Sequence, residues 1–117
     1  MHEISLINSV VKTLEEQFSA EELSDLNQID MEIGVFSNVE PLLMQNAFEA
    51  VCESNQKYQG VKLFIESIPI KIFCESCQTQ SIIENYVFVC SKCGKPNNNL
   101  VAGTEMLIKR VHFNGKN

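Results

Sequence analysis

The chain has 117 residues, enough for one domain or for one modest domain carrying a small accessory module. Hydrophobic residues make up 44% and charged residues 21%, an ordinary globular balance that excludes a disordered chain. A formal charge of −6, from 15 acidic against 9 basic residues with Arg110 the single arginine, opposes binding to nucleic acid or to anionic lipid, both of which need clustered cations.

The opening residues Met1-His2-Glu3-Ile4-Ser5 have neither the basic region nor the small-residue cleavage pattern of a signal peptide. No apolar run approaches the roughly 20 residues that cross a bilayer, so a cytoplasmic protein with no membrane partner is expected. From Glu3 to about Phe18 the residues Ile4, Ile7, Val11, Leu14 and Phe18 recur at steps of three and four, which predicts an amphipathic helix. Ser19 and Glu22 have the spacing of a capping box, so a short second helical turn is expected before Asn27. The period then changes to two: Ile29, Met31, Ile33 and Val35 alternate with Asp30, Glu32 and Gly34, which predicts a strand with one buried face.

Ser37-Asn38-Val39-Glu40-Pro41 reads as a helix start, with cap-type residues before a proline whose missing N–H costs nothing in a first turn. That helix should run through Leu43, Ala47, Phe48 and Val51 to about Ser54. Lys57 to Gly60 is a turn, and Val61, Leu63 and Ile65 begin a second strand expected to continue unevenly past Pro69 to Phe73. After Gly103, Met106, Ile108, Val111 and Phe113 restore strand character. The expectation is an α+β fold of two helices on a small, mostly antiparallel sheet. Residues 1–73 and 104–117 form one domain, and residues 74–103 form an inserted module.

That insertion carries the strongest chemical signal. Cys74, Cys77, Cys90 and Cys93 form two Cys-x-x-Cys pairs separated by twelve residues. Each pair can aim both sulfurs at one atom, and closed four-cysteine coordination is the usual arrangement of a structural Zn²⁺ site. Gly94 follows the last cysteine, where the chain must turn back. Four thiolates also suit iron in a rubredoxin-like site, and a zinc ribbon that binds nucleic acid or transcription proteins is the rival reading. Against the latter, Lys92 and Lys95 are balanced by Glu75 and Glu84 before the anionic thiolates are counted. The fifth cysteine, Cys52, reads as a small apolar residue on a helix face.

His2 and His112 are the only histidines. A histidine in second position is special, because terminal amine, amide nitrogen and imidazole can close adjacent chelate rings around a Ni²⁺ or Cu²⁺ ion. His112 reads as a strand-surface residue. No phosphate loop, nucleophile–base pair or open metal site is visible, so the chain is not expected to be an enzyme.

Met1-His2-Glu3 opening an amphipathic helix, Gly34-Val35-Phe36-Ser37 followed by Val39, Ala47-Phe48-Glu49, and the two Cys-x-x-Cys pairs together resemble the HypA/HybF family of nickel-incorporation proteins. The resemblance implies a nickel metallochaperone that delivers Ni²⁺ during maturation of [NiFe]-hydrogenase. It places transiently bound nickel on Met1, His2 and Glu3, and structural zinc on Cys74, Cys77, Cys90 and Cys93. It further implies a HypB-type GTPase and the hydrogenase large subunit as partners, and a monomer or homodimer. Histidines that flank the cysteine pairs in some members of the family are missing here.

Overall fold

The computed structural model describes residues 3–114. Two long helices, α1 (Glu3–Gln17) and α3 (Pro41–Ser54), flank a one-turn helix α2 (Ala20–Ser24). The strands are β1 (Leu26–Gly34), β2 (Lys62–Ile68), β3 (Lys71–Cys74), β4 (Thr79–Ile82), β5 (Leu100–Ala102) and β6 (Met106–Phe113). They form two sheets of order β2-β1-β6 and β4-β3-β5. The fold is therefore α+β, as expected. Among the described residues no helix is long and apolar enough to cross a membrane.

Local chemistry explains most of these elements. Ser19 caps α2 in a complete capping box: its side chain accepts from the Glu22 N–H, and Glu22 Oε1 accepts from the Ser19 N–H at 2.9 Å. Pro41 opens α3 where its absent N–H leaves nothing unmade. Alternation along β1 turns Ile29, Met31 and Ile33 into the core, where they meet Leu6, Ile7, Val10 and Leu14 of α1 and Met44 and Phe48 of α3.

Three of the four strand pairings are antiparallel; β1 with β2 is the exception, aligned in parallel from Gln28↔Lys62 to Gly34↔Ile68. The cause is α3, which spans the sheet between the two strands and returns the chain to the end where β1 began. Two sequence expectations are corrected. Val35 leaves the strand for a short 3-10 turn, Val35–Ser37, and is 45% exposed instead of buried. The segment from Val61 to Phe73 is two strands in different sheets, broken at Pro69, which cannot donate to a ladder.

The tail from Met106 to Phe113 pairs with β1, closing the first sheet from the other side. A bulge in that pairing, between Asp30↔Arg110 and Met31↔Ile108, adds Lys109 to β6. Lys109 there reaches Glu32 and Glu66 at 3.6 and 3.3 Å. Tyr58, fully buried, docks the turn after α3 by donating its hydroxyl to Glu15 Oε2 of α1 at 3.0 Å.

His112 lies on β6 as a strand residue, but it is not merely solvated: its Nε2 is 2.8 Å from Asp30 Oδ2. Gln28 Nε2 donates to Asp30 Oδ1 at 2.6 Å, and Arg110 Nε lies 3.7 Å away. His112 foremost, then Gln28, hold the Asp30 carboxyl below its usual range. Because the folded value is depressed, Asp30 stabilises the fold above the unfolded value of about 4. That contribution is lost as pH falls through the lower folded value. Urea midpoints measured between about pH 3 and about pH 6 should therefore fall less steeply for Asp30→Asn than for the native chain.

Candidate metal centre

The four paired cysteines converge. Their sulfurs all lie within 4.8 Å of one another, and Cys74 Sγ is 3.9 Å from Cys93 Sγ. A disulfide needs about 2.0 Å, so these are free thiols. A tetrahedral ion bound at about 2.3 Å sets its sulfurs about 3.8 Å apart, so the cluster has the dimensions of a closed four-thiolate site.

Each half is built by a tight turn. Cys74 ends β3 and Cys77 sits in the turn to β4, where Cys74 pairs with Thr79 and Gln78 takes a left-handed φ of 53°. The second half is a knuckle in which the Gly94 N–H donates to the Cys90 carbonyl at 2.8 Å and the Cys90 N–H to the Lys95 carbonyl at 3.0 Å. Gly94 holds φ at 74°, a left-handed conformation that favours glycine. Ser81, buried on β4, accepts the Ser91 N–H at 3.0 Å and so fixes the knuckle to the hairpin.

Amides of Cys93 and Lys92 directed at the Cys90 sulfur pull its thiol down to about 6, with the Lys92 N–H at 3.4 Å. Cys77 is pushed up to about 12 by burial and by its sulfur neighbours. A cation among the four reverses that second shift, because it favours every thiolate at once. Cys74 and Cys90 are buried, Cys77 is half-buried and Cys93 is exposed.

At the other site read from the sequence, Met1 and His2 lie outside the described residues. Glu3, in the first turn of α1, is described, and its Oε2 accepts from the Glu40 N–H at 3.4 Å. The start of α1 thus sits beside the start of α3. Glu40, read from sequence only as part of a helix-start signal, brings a second acidic residue to Glu3. His112 is elsewhere: it pairs with Gln28, six residues along β1 from Gly34, or about 20 Å.

Sequence reasoning also missed how the cysteine module is attached. Phe36 packs edge-on against Phe88, with centroids 5.8 Å apart, and tilts against Tyr86 at 6.4 Å. Phe88 stands two residues before Cys90, so this contact links the 3-10 turn before α3 to the knuckle. An aromatic in the middle of a strand-like sequence gives no sign of such a distant partner.

The model of the family described as hydrogenase/urease nickel incorporation, metallochaperone, HypA matches residues 1–113. The chain belongs to the HypA family. A hydrogenase maturation factor HypA of Campylobacter jejuni is 32% identical over 111 residues, covering 95% of this chain and 97% of that protein. One of Shewanella baltica (strain OS195) is 29% identical over 118 residues, covering 97% and 96%. Two solution structures share the fold. One is of the Ni metallochaperone HypA from Helicobacter pylori (TM-score 0.64, 24% identity, 97% of each chain), and the other is of a HypA protein (TM-score 0.68, 23% identity, 99% of this chain and 98% of that one). Four of the five cysteines of this HypA-family chain are thus gathered into one cluster of tetrahedral size.

Co²⁺, a spectroscopic probe of tetrahedral thiolate sites, should give intense near-ultraviolet sulfur-to-metal absorption when titrated into the protein. Cys77→Ala should remove about a quarter of that intensity, one ligand in four. Equal spectra from both proteins would leave Cys77 outside the centre.

Proposed function

We propose that this protein carries Ni²⁺ at its amino terminus and delivers it to the large subunit of a maturing [NiFe]-hydrogenase, with Zn²⁺ held structurally by the four cysteines. The observation that carries the reading is the family match, which begins at Met1 and takes in both the Met1-His2-Glu3 start and the cysteine pairs. Zinc is favoured at the cluster because a closed set of four thiolates suits a tetrahedral ion without redox chemistry. Nickel is favoured at Met1, His2 and Glu3 because amine, imidazole and amide nitrogens suit a tetragonal ion. A carrier has to release its cargo, and a chelate of a few nitrogen ligands meets that need better than a closed four-thiolate cage.

The same reading makes the protein a cytoplasmic carrier with no catalytic role of its own, working with a HypB-type GTPase. Residues 1–73 and 104–117 serve as the nickel-binding domain, and residues 74–103 as the zinc module. The return of β6 to β1 supports joining the two outer segments into one domain, while β3 of the second sheet begins at Lys71, three residues before the boundary.

Calorimetric titration with Ni²⁺ tests the nickel site. Any extension before Met1 should abolish or strongly weaken binding, because the chelate needs the free amine. His2→Ala should do the same, whereas His112→Ala should leave binding unchanged. Affinity should fall with pH as protons compete for the nitrogens. Equal affinity in the native, extended and His2→Ala proteins would refute the site.

Elemental analysis tests the zinc assignment: about one zinc per chain is expected. Cys74→Ala should lose the metal and unfold the second sheet while the helix-covered sheet stays folded, visible as retained helical circular dichroism. Stoichiometric iron in place of zinc would overturn the assignment.

A further inference from the structure

A search for unexplained surface leads to the edge of the first sheet at β2. In the order β2-β1-β6 the outer side of β2 has no strand partner among the described residues. Gln45 Nε2 of α3 donates to the Leu63 carbonyl at 2.7 Å, so that carbonyl faces away from β1. By the two-residue period, Ile65 and Ser67 also present their backbone groups outward. Such a row is a template for another strand.

Two features point to what would pair there. Phe64, in the middle of β2, is 58% exposed on the sheet face away from the helices, next to Asp30 of β1 on one side and with no strand beside it on the other among the described residues. Large aromatic residues on strands are normally covered by a cross-strand neighbour. On the helix side, α3 overhangs the edge and leaves an open groove of about 500 Å³. Its floor is Phe48, Cys52 and Leu63, and its outer wall is Glu49 and Glu53, both exposed and in no ion pair among the described residues. Lys62, on the strand side, is the one cation at the groove.

We propose that β2 accepts an extended segment of a partner protein as a fourth strand. The segment carries Lys or Arg on the helix side and apolar residues on the other. Long basic side chains lay their stems along Phe48 and Cys52 and reach Glu49 and Glu53 with their charges. The alternate residues cover Phe64. A second copy of this chain fits poorly, because pairing β2 with β2 brings two acidic α3 walls face to face. The proposal does not depend on where nickel or zinc is bound.

The test pans a randomised displayed-peptide library against the full-length protein, then titrates the best synthetic peptide. Enriched peptides should alternate basic and apolar residues, and binding should slow hydrogen exchange at the Ile65 and Ser67 amides. Glu49→Lys with Glu53→Lys, on the exposed face of α3, should leave the melting temperature unchanged and weaken the peptide about tenfold or more. The proposal fails if no peptide is enriched over a control protein, or if the consensus is acidic. It also fails if the double variant binds within twofold of the native protein, or if protection maps to β6. Protection of Ile65 that rises with protein concentration and no peptide would make a second copy the occupant and overturn it too.

Discussion

Gly34 and Gly103 meet so closely that a Cβ built on Gly34 would lie 2.0 Å from the Gly103 carbonyl oxygen. Both of the chain's passages between the two sheets converge on this point. The Gly34 N–H donates to the Glu105 carbonyl at 2.7 Å, and the Phe36 N–H to the Gly103 carbonyl at 2.8 Å. Gly103 itself holds φ at 111° with the Ile70 backbone against it, so neither position tolerates a side chain. Because the backbones touch there, β1 ends at Gly34, Val35 turns out of the sheet, and Phe36 is delivered to Phe88 and Tyr86.

The two sheets on either side of that crossing are stabilised differently. Among the described residues the helix-covered sheet encloses sixteen buried ones, all between Leu6 and Leu63, with Ile108, Val111 and Phe113 of β6 packed against them. The second sheet has three, Ile70, Ile72 and Ile83, with Phe88 and Leu100 packed against them. At roughly 25 cal/mol per Å² of buried apolar area, so few side chains cannot offset the entropy of ordering the loops from Ile83 to Leu100. A cation held by the four thiolates would supply what that core lacks. The convergence of Cys74, Cys77, Cys90 and Cys93 therefore makes one candidate metal centre a candidate folding element as well.

The helix-covered sheet also keeps its polar groups apart. At the Gly34 end, the starts of α1 and α3 lie together and Glu3 meets Glu40. Toward the other end, Asp30 gathers His112, Gln28 and Arg110 on the open face. This second group is satisfied by its own members and ties β6 to β1. The edges of the sheet differ as well, since β2 carries an uncovered aromatic residue where α3 overhangs it.

Much of this was legible in the residues themselves. Helical spacing from Ile4 to Phe18, Ser19 with Glu22, and Pro41 after cap-type residues are local signals, and local energetics decided those elements. The cysteine spacing was equally local, since two Cys-x-x-Cys turns with Gly94 can close on one ion wherever the module sits. What only the tertiary structure decided involves partners distant in sequence. The parallel pairing of β1 with β2 follows from where α3 packs. The break at Pro69 assigns one apolar run to two sheets. Val35 alternates like a buried strand residue, yet the approach of Gly103 turns it outward. Asp30 with His112, Glu3 with Glu40, and Phe36 with Phe88 are contacts across 82, 37 and about 50 residues, and side-chain periodicity along a chain carries no information about such partners.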